Sequence, residues 1–372
     1  MLIYNIIVIT LMICCTLELF QHKYRLVIVK QKNSNHLGKL DLDRVISCIL
    51  IIILTLIAAF RDFSVGTDLS RYIPRFYHLG ISTWKNLIML SDYYSFEYGF
   101  SIFCKLIYLI NPNPEIFIIV SSFIIGCGFY KLTKLSYMPI LTIFIIVCYG
   151  IYGSSMNIIR QFLSFSIILL GIEKINDDNF LKFLIIVIIA STFHIMALIF
   201  IPLYFLARIN YNKLVLVGCI IISLFIFVFR KYLIILLVKN TSFSWYLSKL
   251  GKGSGITTLL FLFLLLCILY YYRSYLIYRN IDPNTYLWII TLAVLSNILA
   301  LSLGVFARIM IYFTPFISII IPNLLLTIKK KENVFFYILA WILIVIFFYF
   351  YYSVVLLSGD AISAGWVPYS FR

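Results

Sequence analysis

Charge is what this chain has least of. Of its 372 residues only 12% are charged, about half the ~25% of a soluble domain. Hydrophobic residues make up 63%, more apolar surface than a soluble core of this length can hide. Acids are the scarcer sign: 14 Asp and Glu stand against 30 Lys and Arg, for a formal net charge of +16. There is no P-loop, no HExxH and no GxSxG, so the common signatures of nucleotide, zinc-peptidase and serine-hydrolase chemistry are missing. There is no CxxC either; the eight cysteines lie within apolar runs and read as small hydrophobes, neither disulfides nor metal ligands. Asp41-Leu42-Asp43 matches the DxD pattern that holds a metal in nucleotide-sugar transferases. It sits in a short basic loop with no Rossmann-like segment nearby and reads as a chance match. No metal and no cofactor is expected.

Long apolar runs take the place of charge. They lie near 2–20, 45–60, 98–112, 115–131, 138–152, 155–172, 180–207, 214–236, 256–272, 284–302, 305–328 and 334–357. Each must be helical, because lipid offers no partner to a free backbone N–H or C=O. No ten-residue alternation of the barrel type appears. The expected fold is an all-α polytopic membrane protein, one integral domain over 1–372, with about 12 transmembrane helices (roughly 10–14). The run from Leu2 to Phe20 has no basic n-region and no small-residue cleavage site, so it reads as a retained helix. No appended soluble domain and no internal repeat is visible.

The positive charge is first a statement about orientation, not about nucleic acid. Lys and Arg collect in cytoplasmic loops. Residues 21–44 hold Lys23, Arg25, Lys30, Lys32, Lys39 and Arg44; later clusters are Arg208 with Lys213, Arg273 with Arg279, and Lys329 to Lys331. The segment 61–97 then falls on the outer side, as does the tail after 357. Simple counting would put Lys131, Lys134, Lys174 and Lys182 outside, against the rule. The conflict disappears if 98–112 is a short interfacial or re-entrant helix and 180–207 is a hairpin that breaks near His194. Within 61–97, Ile73, Phe76, Tyr77, Ile81, Trp84 and Ile88 recur at helical spacing, which predicts an amphipathic helix on the membrane surface or over a cavity.

Ionisable residues inside apolar runs are expensive and mark function by default. Arg160 stands in Asn157-Ile158-Ile159-Arg160-Gln161, His194 follows Ala190-Ser191-Thr192-Phe193, and Arg308 precedes Tyr312 by one turn. Arg61 opens the outer segment ahead of Val65-Gly66-Thr67-Asp68, and Glu97 closes it. Lys105 and Glu18 lie near enough to helix ends to snorkel. Arg61, Arg160 and Arg308 have no obvious intramembrane acid partners, so the missing negative charge points to a ligand. A guanidinium binds phosphate oxygens bidentately and does not deprotonate. The plain alternatives are a snorkelling Arg160, a His194 bonded to a neighbouring helix, and a solvated 61–68 loop whose Thr67 or Asp68 caps the following helix.

Val65-Gly66-Thr67-Asp68 after Arg61, then Glu97-Tyr98-Gly99-Phe100, Asn157 to Gln161 and Phe193-His194, occur in the order found in one known family. The sequence resembles the EpsG-like family of Wzy-type polysaccharide polymerases. Arg308 with Tyr312-Phe313, and Pro368-Tyr369, resemble its C-terminal half. The likeness covers about residues 45 to 320 and departs at Ser164, where the family commonly has Ala. It implies a glycosyltransferase of the bacterial cytoplasmic membrane, acting on the outer face on undecaprenyl-pyrophosphate-linked oligosaccharide. Flippase and chain-length-regulator proteins are implied partners, with membrane lipid around it. Arg160 and Arg308 would clamp the pyrophosphate, Arg61, Gln161 and Tyr312 would support them, and His194, Asp68 or Glu97 would be the base. With arginines taking the leaving group's charge, neither metal nor nucleotide is required. The rival readings are a flippase for the same lipid-linked sugar, an outer-leaflet glycan ligase, and a structural membrane subunit.

Overall fold

The computed structural model describes residues 2–29, 42–176, 179–239, 244–251, 255–276, 281–332, 334–354, 365 and 369–371. Lys30, Lys32, Lys39, Asp41, Arg279 and Pro368 lie outside them, as do the side chains of Lys23, Arg25, Lys330 and Lys331. The described chain is helical. Helices α1 (Leu2–Val29) and α2 (Leu42–Ala59) are followed by α3 (Leu69–Ile81), α4 (Trp84–Tyr94) and α5 (Tyr98–Ile110). Next come α6 (Pro114–Leu135), α7 (Pro139–Cys148), α8 (Ile151–Asn157) and α9 (Ile159–Gly171). The second half holds α10 (Phe180–Ser191), α11 (Phe200–Leu206), α12 (Lys213–Val238), α13 (Ile256–Tyr272) and α14 (Pro283–Ala300). It ends with the one-turn α15 (Ala307–Met310), α16 (Ile317–Lys331) and α17 (Val334–Phe350).

Among the described residues, six helices are long and apolar enough to cross a membrane, or eight if the two bent pairs each count as one span. This is fewer than the dozen that hydropathy suggests. The difference comes from breaks inside apolar runs. The α5 helix has 13 residues and is about 20 Å long, against a hydrocarbon core of about 30 Å. The α7–α8 pair bends by 59°, and the pair running from Gly304 to Lys329 by 46°. Gly150 makes the first bend in the left-handed region at φ 76°.

Helix α7 is the centre of the bundle; all of its residues are buried, and α1, α2, α6 and α16 pack around it. Its first N–H groups therefore lack water and need an acceptor. Glu18 of α1 supplies it, accepting from Ile140 N at 3.0 Å and Leu141 N at 2.9 Å. Glu18 is 0% exposed. It does not snorkel; a carboxylate is held inside because a buried helix N-terminus needs a negative partner. Lys105 does not snorkel either. Its ammonium donates to the carbonyls of Gly80 (3.1 Å) and Ser82 (2.5 Å) at the end of α3, and so ties α5 to that helix.

The middle of the chain folds as the charge distribution requires. Residues 180–206 form a hairpin that turns at Thr192–His194. The rings of Tyr204 and Phe205 meet Phe180 at 4.9 and 5.1 Å, so both arms end together. Lys131 pairs with Glu173 at 2.8 Å, and Arg208 donates to the Ile175 carbonyl at 3.1 Å. These contacts gather the ends of α6, α9 and the hairpin on one basic side, away from His194. The 61–97 segment is two helices, separated where Thr83 caps α4 by accepting from Asn86 N. Its buried stripe is Leu69, Tyr72, Phe76 and Leu79, whereas Tyr77, Ile81, Trp84 and Ile88 are exposed. The stripe therefore differs from the expected one, because two elements with different faces share the segment.

Candidate functional site

The polar side chains collect where helices break. The motif from Asn157 to Gln161 spans the break between α8 and α9, and three of its residues each hold a different distant segment. Asn157 Oδ1 accepts from Asp68 N at 2.9 Å and from Thr67 Oγ1 at 3.3 Å. Arg160 Nη1 donates to Glu97 Oε2 at 2.7 Å and to Ser95 O at 3.2 Å. Gln161 Nε2 donates to the backbone carbonyl of Arg308. Three residues of one five-residue motif thus tie together the 61–68 turn, the start of α5 and the break before α16.

Glu97 extends the network. Its second oxygen accepts from Ile195 N at 3.1 Å, the residue after His194. Phe100 N donates to Thr192 O at 3.1 Å, so the N-terminus of α5 meets the hairpin tip on two hydrogen bonds. The approach is close enough to demand glycine. A Cβ on Gly99 would lie 2.1 Å from Thr192 Oγ1 and 2.8 Å from its carbonyl oxygen. Gly66 is needed for backbone shape as well as space, with φ +103° and a Cβ position 3.0 Å from Met156 O. The C-terminal tail fastens this turn from outside: Asp62 N donates to Ser370 O (2.9 Å), Gly66 N to Gly365 O (2.7 Å), and Tyr369 Oη to Ile57 O (2.5 Å).

Arg160 is not the unpaired cation that its sequence neighbours imply. It forms an ion pair with Glu97, both side chains being about four-fifths buried at 18% and 20% exposure. Its guanidinium carbon lies 4.4 Å from the Phe96 ring centroid. The chain reaches Glu97 through Ser95, a non-glycine residue in the left-handed region at φ 53°.

Arg61 is 1% exposed. It donates to the Ala58 carbonyl, to Ser122 Oγ at 3.2 Å and to Met156 O at 3.1 Å, and so fastens α2, α6 and α8 together. The structure does not bring it to the surface with Arg308. Gln161 and Tyr312, at 2% and 0% exposure, are likewise supports. Arg308 is different: it is exposed, and its guanidinium makes no hydrogen bond or ion pair among the described residues.

His194 lies in the hairpin break, outside every spanning helix. Burial first, then the charges of Arg160 and Arg308, hold its imidazole below the ordinary range and keep it neutral. Tyr312 Oη is 3.3 Å from His194 Nδ1. Asp68 is half-buried, and its carboxylate makes no hydrogen bond among the described residues. The arrangement combines a free guanidinium, a paired one, a neutral imidazole and a carboxylate. It suits binding of an anion beside a group that loses a proton. Sequence reasoning passed over Asn157 as a functional residue, although the motif containing it was visible. Phe96 and Tyr72, both beside Arg160, give no such signal, and Ser164 stands out only as a departure from the family pattern.

Broken helices, closed by polar side chains from distant segments, define a polytopic membrane protein whose charged groups gather at the breaks. The model of the EpsG family matches residues 44–371, and the chain belongs to that family. It is therefore a membrane protein of polysaccharide biosynthesis. No curated protein and no solved structure matches it.

Proposed function

We propose that this protein is a polysaccharide polymerase that joins undecaprenyl-pyrophosphate-linked oligosaccharide repeat units on the outer face of the bacterial cytoplasmic membrane. The observation that carries the reading is the exposed Arg308 guanidinium, unpartnered among the described residues and beside a neutral His194. A flippase needs cations along a path; a transferase needs a cation next to a base.

In the reaction the acceptor sugar's hydroxyl gives its proton to His194 as its oxygen bonds the anomeric carbon of the growing chain. The bond from that carbon to the pyrophosphate oxygen breaks, and undecaprenyl pyrophosphate leaves with the electron pair. Arg308 takes the charge that develops on the leaving group, with Arg160 adding its field. Glu97 is unsuited as the base, since Arg160 and Ile195 N occupy both of its oxygens. Asp68, held by Asn157 at the edge of the site, orients the acceptor. Burial is the main cause of the imidazole's low basicity, and bound pyrophosphate offsets the smaller part that comes from the arginine charges.

The test is glycan length in cells. Arg308→Ala should leave single repeat units in place of long chains, on the order of a 100-fold loss, with the protein inserted at normal level. The accumulated lipid-linked units should be open to periodate from outside. Units protected from periodate would support a flippase, single units missing from the lipid carrier but capping a different acceptor would support a ligase, and unchanged chain length would overturn the site.

A further inference from the structure

Behind His194 runs a short chain of hydrogen bonds that ends on a backbone carbonyl. Ser164 Oγ donates to Ala190 O at 2.8 Å. Tyr312 Oη donates to Ser164 Oγ at 3.1 Å and lies 3.3 Å from His194 Nδ1. We propose that Ser164 and Tyr312 are positioning residues that hold His194 in the Nδ1–H tautomer and leave Nε2 as the proton acceptor facing the site. This rests on the reading of His194 as the base.

The argument is a count of protons. Each hydroxyl has one to give. Ala190 O has no proton and must accept, so the Ser164 proton points to it. Ser164 Oγ is then an acceptor, and Tyr312 is the donor within reach. With its own proton given away, Tyr312 Oη accepts, and the atom facing it is His194 Nδ1, which must carry hydrogen. This direction makes three hydrogen bonds. The reverse, with Tyr312 donating to Nδ1, leaves Ser164 Oγ without a donor. Ser164 and Tyr312 are both 0% exposed, so an unmade bond finds no bulk water, and burial makes it expensive. The backbone sets the direction because the Ala190 carbonyl is fixed at the end of α10, where it also accepts from Phe193 N at 3.0 Å and His194 N at 3.2 Å as the hairpin turns.

The full-length protein in liposomes, labelled with 15N-histidine, tests this directly. The chain has four histidines, and His194→Gln identifies the resonance that belongs to the site. The expected spectrum shows a protonated Nδ1 and a bare Nε2. Ser164→Ala should reverse this, because Tyr312 then turns its proton to Nδ1; Tyr312→Phe should remove the preference for Nδ1–H, and Ser164→Thr should keep the wild-type pattern. In polymerisation assays Ser164→Ala should lower kcat on the order of tenfold with KM unchanged, and Ser164→Thr should restore it. A wild-type Nε2–H, or an unaltered tautomer in both Ser164→Ala and Tyr312→Phe, would overturn the proposal. A reversed tautomer with unchanged kcat would support the relay while removing His194 from the chemistry proposed above.

Discussion

Helix α12 and the segment from α8 to α11 are built from similar apolar residues and do opposite things. The first is one unbroken helix of 26 residues, Lys213 to Val238, with Leu214, Ile221, Phe225, Val228 and Leu236 exposed along it. The second is interrupted at Ile158 and again at Thr192–His194. An unbroken helix satisfies its own backbone and can lie against lipid; a broken one releases N–H and C=O groups that something must satisfy. Here the site residues do so. Glu97 takes the N–H of Ile195, Asn157 that of Asp68, and Gln161 meets the carbonyl of Arg308. The same side chains that close the breaks place the functional groups, so structure and site are difficult to separate by mutation.

Three substitutions sharpen that contrast. The largest effect is expected from Glu97→Gln, which keeps an oxygen for Ile195 N but removes the countercharge of Arg160. Charge-assisted hydrogen bonds contribute about 1.5–3 kcal/mol, so polymer output should drop on the order of tenfold to 100-fold, read on glycan gels. If output is unchanged, the ion pair plays no part in placing the site. Gly99→Ala comes next. Its methyl group would overlap both the side chain and the carbonyl of Thr192, and overpacking of this kind destabilises by about 1–3 kcal/mol. A lower melting temperature in detergent, together with shorter glycans, is the expected result; wild-type stability would mean that α5 and the hairpin tip do not meet as described. The smallest effect belongs to Gly218→Ala in α12, where nothing lies within 4 Å of the added atom. Helix propensity alone predicts a gain of up to about 1 kcal/mol and unchanged glycan length. A large loss there would break the comparison, because it would give the open face of α12 at Gly218 a partner.

Legibility in the sequence followed the same division. Hydropathy identified the apolar helical runs, because lipid imposes them residue by residue, but not the breaks that leave six to eight candidate spans among the described residues. Lys131, Lys134, Lys174 and Lys182 forced the hairpin at 180–207, since only a chain that turns back keeps them on the basic side. Arg160, His194 and Arg308 stood out because each is an ionisable group in an apolar run. Partnership was not legible. Glu97 lies 63 residues from Arg160, and nothing local to either reports the pair. Arg61 and Arg308 are alike in sequence, both preceded by alanine or phenylalanine in apolar surroundings, yet one is sealed between three helices and the other is exposed. Glu18 read as an end-of-helix acid because the buried N-terminus it caps belongs to a helix more than 100 residues away.

By itself, then, the sequence determined the solvent this protein lives in, the helical class and the short list of residues worth suspecting. Those follow from composition and spacing, which act over a few residues. Tertiary structure alone decided which arginine is free, which acid is already paired and which hydroxyls stand behind His194. Each of these is a contact between segments far apart in the chain, and burial, which sets the strength of every such contact, has no value until the helices have packed.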